Sequence, residues 1–341
     1  MKYIESGFSL EAFPGLGLLH HPRLGEVIIW RQHEFHTWWN LYESLMQHPL
    51  SRTFVNAFVD SLEINHTLTP TRGLFRKKKF HIEMNLMSSL LGWGRVEFDE
   101  RRVIQGAHSL LSVALGQYAI ETFDQHRYKV RWLEPSSQTV QLELERTTDL
   151  PPPQPHNPFL WSRKSVSSKS IHSQMVIEDH EGCELRVEGE RVVLIPIMAL
   201  ERFLSACLPY APESNDEWFH HQIESFSAFE NLFKTTIKSI AAMFLKSEQP
   251  VYIIDRSSWD SYIEHYLIER GWGAIEIMEY DASSFELNCS IQSGASFPFT
   301  LGMICGMWER AHGRAYRINL RQKDTTFLIK IESFLEYQNH E

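Results

Sequence analysis

The sequence predicts an α+β protein made of two tandem copies of one unit, each an antiparallel sheet with helices packed on one side. Three observations support this fold class. Gly92-Trp93-Gly94 in the first half returns as Gly271-Trp272-Gly273 in the second. Ala114-Leu115-Gly116 and Thr300-Leu301-Gly302 follow the two copies in the same order. Apolar residues also change from helical to alternating spacing at the same place in both halves, as expected of a duplicated unit.

The first half is predicted to contain a strand, three helices, a strand pair, a fourth helix and a final strand pair. Helices are recognised by apolar residues recurring about every 3.6 positions, and strands by alternation. Gly92 ends the third helix, because glycine adopts the left-handed conformation without a Cβ clash. The predicted strands are 27–30, 96–98, 103–107, 128–132 and 140–144, and the predicted helices are 35–46, 54–62, 80–91 and 110–123.

The second half repeats this plan, and its last strand pattern at 326–332 matches that at 139–145. Two related units in one chain can reproduce the two-fold contact of a homodimer. We therefore expect an intrachain pseudo-dimer with pseudo-two-fold related halves. The predicted strands are 192–195, 274–278, 286–291, 315–320 and 327–331, and the predicted helices are 198–208, 226–245, 259–270 and 299–310.

These patterns divide the chain into an irregular N-terminal arm at 1–19, a first repeat at 20–147, a linker at 148–184 and a second repeat at 185–341. The linker opens with a proline cluster, and proline continues neither helix nor sheet. A polar run of serines and basic residues follows. We therefore expect 150–172 to be exposed and mobile, and to be cut first in limited proteolysis.

Composition limits the classes of partner. The net charge is −10, which argues against nucleic-acid binding because that requires a basic surface. The one basic run, Arg76-Lys77-Lys78-Lys79, is interpreted as a solvated helix start, with a phosphate or lipid patch as the alternative. No apolar stretch approaches the ~20 residues of a membrane span. The four cysteines are dispersed and no signal peptide is recognised, so we expect reduced thiols and a cytoplasmic location.

The repeated corner has a structural interpretation. A helix must end and a strand begin within three residues, and the glycines at 92, 94, 271 and 273 permit this turn. Trp93 and Trp272 would bury a large apolar area there. The alternative is that the two tryptophans line a ligand site.

The order of helix, Gly-Trp-Gly, strand pair, glycine-bearing helix and final strand pair resembles the 4-vinyl-reductase domain, whose fold is shared by subunits of the TRAPP vesicle-tethering complex. Phe299-Thr300-Leu301-Gly302-Met303-Ile304-Cys305-Gly306 is the closest match, since the family often has a glycine pair there. The resemblance covers roughly 20–147 and 185–335. It implies helices on one side of an antiparallel sheet, in proteins that are small-molecule sensors, apolar-ligand carriers or assembly scaffolds.

One departure from the family concerns metal binding. Some bacterial members hold a metal through cysteines near the last two strands. The corresponding stretches here, 132–140 and 318–327, contain no cysteine, so the resemblance does not extend to a zinc site.

A ligand site is expected where the helix after the second corner faces the helix before that corner. Aromatic residues with few charges border this gap, and Gly302 and Gly306 would leave room in it. The alternative is a core filled to normal density. Cys305 would then be an inert buried thiol, whereas the ligand hypothesis allows a ligand-linked thiol. The bordering residues are Tyr262, Tyr266, Phe297, Phe299, Ile304, Cys305 and Trp308.

We therefore expect a non-catalytic partner-binding or assembly protein without a cofactor. No dinucleotide, phosphate-loop or nucleophile-elbow motif is present in the sequence, although catalytic triads are spatial and leave the enzyme question open. Two alternatives remain: a sensor or carrier of a small apolar ligand, and an enzyme or assembly factor of pigment or cofactor metabolism. The second rests on the reductase resemblance alone.

The purified protein is expected to contain no stoichiometric zinc or iron. His33 and His36 are the nearest candidate pair, but no third ligand with suitable spacing accompanies them. Elemental analysis by inductively coupled plasma mass spectrometry measures this directly. About one metal ion per chain would contradict the expectation, which rests on tetrahedral sites needing three or four protein ligands.

Overall fold

The computed structural model describes residues 10–65, 68, 73–146, 151–162, 169–214 and 217–334. The protein is α+β, with antiparallel sheets and helices, which confirms the predicted fold class at this level. The first half contains β1 (Glu11–Phe13), β2 (Leu18–His21), β3 (Gly25–Arg31), α1 (Gln32–Met46), α2 (Ser51–Ile64), α3 (Arg76–Leu91), β4 (Arg95–Glu97), β5 (Arg102–Ile104), α4 (Ser109–Asp124), β6 (Tyr128–Ser136) and β7 (Thr139–Arg146).

The second half begins with short strands inside the stretch 148–184, where a linker was expected. A π-helical turn, Glu264–Ile268, continues α7 toward Gly271. The elements are β8 (Ile171–His172), β9 (Glu178–His180), β10 (Glu184–Val187), β11 (Glu190–Pro196), α5 (Ile197–Cys207), β12 (Phe219–Gln222), α6 (Glu230–Lys246), α7 (Arg256–Ile263), β13 (Ile275–Asp281), β14 (Glu286–Gln292), α8 (Phe297–His312), β15 (Tyr316–Lys323) and β16 (Thr326–Ser333).

Two outer sheets have the same order of matching strands. The first is β4-β5-β7-β6, and the second is β13-β14-β16-β15 with β12 added in parallel beside β15. In each, a helix (α4 or α8) connects the first strand pair to the second. A difference in strand order would have contradicted duplication. The pseudo-two-fold relation itself stays a prediction.

A central sheet joins the two halves, and the sequence did not predict it. Its order is β8-β1-β2-β3-β11-β10-β9, so β3 of one half pairs with β11 of the other. The ladder is antiparallel, from Val27 opposite Pro196 to Arg31 opposite Val192. The expected irregular arm at 1–19 is wrong in its described part, because residues 11–13 form β1 and β2 begins at residue 18.

The expectation that 150–172 is exposed holds for most of its described residues, including 151–152 and 169–172, but it is wrong at Phe159 and Trp161. Trp161 is 0% exposed. Its ring lies 4.6 Å from that of Phe159 and 5.1 Å from that of Phe233 on α6. Burying two aromatic side chains outweighs the polar character of the surrounding sequence, since each removes about 150–250 Å² from water. The segment also supplies β8, which pairs with β1. Residues 147–150 and 163–168 lie outside the described residues.

The core is built from both halves. Trp30 of β3 contacts Trp38 at 4.9 Å and Trp272 at 4.8 Å between ring centroids, and Phe299 of α8 lies 6.0 Å away. The helices also contact across the halves, α1 with α6 and α2 with α5. Each half therefore completes the core of the other.

The glycines of α8 do not leave the space expected of them. A Cβ on Gly302 would lie 2.6 Å from Ile240 Cβ and 2.9 Å from the Ile237 carbonyl oxygen. A Cβ on Gly306 would lie 2.8 Å from Phe244 Cβ. Both glycines permit α8 to pack closely against α6. The prediction that these two glycines leave room for a ligand beside α8 is therefore wrong.

Gly302→Ala is expected to lower the free energy of unfolding by about 1–3 kcal/mol, since the atoms it would meet are a Cβ and a backbone oxygen that cannot rotate away. Gly15→Ala is the matched control, because no atom would lie within 4 Å of the added Cβ and the φ of Gly15 is not positive. Urea denaturation followed by circular dichroism measures both. Equal stability of the two variants would contradict the close helix contact.

Candidate functional site: a cleft over the central sheet

Each Gly-Trp-Gly corner docks on the long central strand of the other half. The Trp93 indole Nε1 donates a hydrogen bond to the Leu194 carbonyl at 2.9 Å, and Trp272 Nε1 donates to the Ile29 carbonyl at 3.0 Å. Leu194 and Ile29 are themselves paired in the β3–β11 ladder. Both indoles are 0% exposed, so neither tryptophan lines an open site.

The corner glycines allow this approach. Gly92 and Gly271 have φ values of 70° and 75°, in the left-handed region that favours glycine. A Cβ on Gly271 would lie 2.6 Å from the Val27 carbonyl oxygen, and one on Gly92 would lie 3.0 Å from that of Val192. The structural interpretation of the motif therefore accounts for its residues.

A large cleft among the described residues lies over the central sheet. It has a volume of about 650 Å³. Strands β1 to β3, β10 and β11, the segment 173–178 and the π-helical turn all contribute to its lining. Its sheet side is mainly aliphatic, including Leu18, Leu19, Ile29, Val187 and Val192. A cavity of this size and character is typical of small-molecule sites.

The segment 173–177, called the strap below, makes the cleft concave. It connects β8 at one edge of the seven-stranded sheet to β9 at the other. Six residue steps from His172 to Glu178 reach at most about 22 Å, whereas six strand spacings in a flat sheet measure about 29 Å. The sheet must therefore curve, with the strap crossing its concave side. Strap residues Gln174, Met175 and Val176 face the cleft.

One end of the cleft carries charge. Arg31 lies at the end of β3, and its guanidinium Nη2 is 3.4 Å from His265 Nε2. Its other nitrogens lie 3.4 Å from a Glu190 oxygen and 3.7 Å from a Glu34 oxygen, distances of loose ion pairs. Glu269 lies 3.5 Å from His265 Nδ1. The side chain of Arg31 remains 15% exposed, so it can still meet an anionic group entering the cleft.

The π-helical turn places His265 and Ile268 along this end of the cleft, and Glu269 follows directly after the turn. Turns of this kind are rare and occur often at functional sites. The corresponding helix of the first half, α3, is an α-helix throughout and reaches Gly92 without such a turn. The two helices that precede the corners therefore differ where the cleft lies.

A buried ion pair between Arg270 and Glu34 lies at the same charged end of the cleft. Arg270 and Glu34 are each 4% exposed, and both terminal nitrogens of the guanidinium donate to the carboxylate of Glu34. The Arg270 Nε donates to the Ile29 carbonyl at 3.2 Å. These partners lie 236 positions apart, and sequence analysis did not identify them. The only signal is that Arg270 precedes Gly271 where Leu91 precedes Gly92.

The seven residues expected to border a gap are not gathered around one cavity. Phe299 faces Trp30 and Trp38 in the shared core, while Phe297 stacks on Phe327 of β16. The α8 members Phe297, Phe299, Ile304, Cys305 and Trp308 are at most 1% exposed. Tyr262 and Tyr266 border a separate shallow depression of about 440 Å³. Helix α8 packs against α6, which accounts for this division.

Titratable groups away from the cleft are placed for packing. Burial raises the pKa of the Cys207 and Cys289 thiols to about 12 and that of Cys305 well above its usual value. His36 faces His108 at 5.5 Å between rings, whereas His33 lies 3.7 Å from Glu190. Burial, aided by His36, lowers the pKa of His108 to about 3. Within the described ranges, no three His, Cys, Asp or Glu residues form a group that could hold a metal.

No family model matches the chain, and neither a curated protein nor a solved structure matches it significantly. The resemblance to the 4-vinyl-reductase domain therefore stays a prediction. None of the helices in the described part of the chain combines the length and apolar character needed to cross a membrane.

Removing one partner of the buried pair is expected to cost more than removing both. Arg270→Leu leaves the buried Glu34 with only Arg31, whose nearest guanidinium nitrogen lies 3.7 Å away, and should lower the free energy of unfolding by about 3 kcal/mol, the low end of the cost of breaking a buried pair. The double variant Arg270→Leu with Glu34→Leu should recover part of this loss, because no uncompensated charge remains. Urea denaturation of the parent, both single variants and the double variant gives the coupling. Additive losses would show that the pair is not coupled.

Proposed function

We propose that the protein is a non-catalytic binding protein whose cleft over the central sheet holds a small, largely apolar molecule. The observation that carries this proposal is the strap, which crosses a curved sheet and covers an aliphatic surface contributed by both halves. A volume of about 650 Å³ lies within the range of small-molecule sites.

The charged end of the cleft indicates which chemical class of ligand would bind there. Arg31 and His265 lie where an apolar body resting on Leu19, Ile29 and Val192 would end. A guanidinium held loosely by its neighbouring carboxylates can reorient toward a ligand carboxylate and bind it with charge-assisted hydrogen bonds. The ligand we propose is therefore an amphipathic molecule with an apolar body and one acidic group.

A partner-binding or assembly role is compatible with the halves docking on each other and is the second candidate. An enzyme of pigment or cofactor metabolism rests on resemblance alone. Among the described residues, Cys207, Cys289 and Cys305 are buried thiols with raised pKa values, which opposes nucleophilic chemistry there. A cytoplasmic location remains a prediction, supported by four free cysteines.

The cleft is tested with two fluorescent probes, cis-parinaric acid, which carries a carboxylate, and Nile red, which is neutral. Val187→Trp should weaken binding of both, because the indole would occupy the cleft. Arg31→Gln should weaken cis-parinaric acid binding roughly tenfold and leave Nile red unchanged, since only the acid uses the guanidinium. Fluorescence titration and native mass spectrometry of the purified protein give affinity and stoichiometry.

Leu133→Trp is the matched control, since Leu133 is exposed on β6 and does not border the cleft. It should bind both probes like the parent protein. If Val187→Trp also binds both probes like the parent, the cleft is not the site and the partner-binding hypothesis replaces this one.

A further inference from the structure

Helix α3 carries apolar residues on two opposite sides. Its inner side, which includes Phe80, Met84 and Met87, is buried. Its outer side exposes Ile82 and Leu86, which lie one turn apart. Helices that face solvent on one side are normally polar there, so a second apolar side indicates a second environment.

The start of the helix extends this outer side. Leu74 is 100% exposed and Phe75 is 70% exposed, and both immediately precede Arg76. Phe75, Ile82 and Leu86 share one side of the helix at α-helical spacing. The stripe from Phe75 to Leu86 is about 16 Å long at 1.5 Å per residue.

Basic residues flank the stripe. Lys78 and Lys79 are exposed beside Phe75 and Ile82, and no carboxylate of the described residues forms an ion pair with either. The nearby acids have partners of their own, Asp99 with Lys77 at 2.6 Å and Glu83 with Arg23 at 3.1 Å. In a chain of net charge −10, this patch therefore has the opposite sign to the protein as a whole.

We propose that the outer side of α3, with Leu74 and Phe75, docks on an anionic lipid surface. An apolar stripe flanked by lysines is the arrangement of helices that lie in the membrane interface, where lysines reach the headgroups and apolar side chains enter the acyl boundary. Phosphates of anionic lipids complement Lys78 and Lys79, and their field orients an otherwise acidic protein with this patch toward the membrane. A protein partner would need an acidic groove shaped to receive these projecting side chains, so retention on an acidic protein is the competing outcome of the test below.

Vesicle sedimentation with the full chain tests the proposal. The protein should bind vesicles of phosphatidylcholine with phosphatidylserine, bind phosphatidylcholine vesicles much less, and detach as salt increases. The double variant Lys78→Glu with Lys79→Glu should bind roughly tenfold more weakly or worse, because each lysine contributes about one kcal/mol near an anionic surface. Phe75→Ser with Ile82→Ser should also lose binding.

Two controls match these changes elsewhere on the surface. Lys129→Glu with Lys323→Glu makes the same charge change on exposed strand residues, and Leu133→Ser removes an exposed apolar side chain. Both should bind like the parent. An equal loss in variants and controls, or equal binding to both kinds of vesicle, would overturn the proposal, as would retention of the parent protein on an acidic protein but not on vesicles.

Insertion of the exposed tip at Leu74 into the lipid can be measured separately. All four cysteines are buried, so Leu74→Cys introduces one accessible thiol for an environment-sensitive fluorophore. Its emission should shift to the blue with anionic vesicles and not with phosphatidylcholine alone. An unchanged spectrum with anionic vesicles would show that this tip does not enter the lipid.

Discussion

The reciprocal docking of two tryptophan corners on one strand pair is the constraint on which the rest of the structure depends. Ile29 extends beyond the part of β3 that β2 covers, so its backbone groups need other partners. Its amide donates to the Arg270 carbonyl at 2.8 Å, and its carbonyl accepts from Trp272. Leu194, paired with Ile29, accepts from Trp93 in the same way. Each corner thus satisfies a buried strand that belongs to the other half.

This docking also fixes the outer sheets. Ser112 of α4 donates to the Trp93 carbonyl at 2.9 Å, and Thr300 of α8 donates to that of Trp272. The helix that crosses each outer sheet is therefore attached to the corner, and the corner is attached to the central strands. Because Trp30, Trp272 and Phe299 share one aromatic cluster, the halves form a common core and stabilise each other.

Elements in which apolar residues recur at regular spacing over a long stretch could be predicted from the sequence. Contacts between distant segments could not. The pattern around Phe54 and Phe58 indicates α2 because a helix needs only local periodicity. Strands β1 and β9 have three residues each and exist through pairing with partners elsewhere in the chain. Trp161 lies in a proline- and serine-rich stretch, so its burial depends on helix α6, which composition does not reveal. The Arg270–Glu34 pair joins residues 236 positions apart, and its one sequence signal is that Arg270 stands where the first half has Leu91.

The repeated motif accounts for the architecture. The matching segments of the two halves differ at the places to which we assign functions. Helices α3 and α7 both precede a Gly-Trp-Gly corner. In the second half the π-helical turn and Arg270 face the cleft, where the first half has a regular helix ending in Leu91. In the first half the outer side of α3 carries Phe75 and Lys79. Both corners have the same docking geometry, and the helix before each corner is the part that differs, which is where we propose a ligand cleft in one half and a lipid-facing surface in the other.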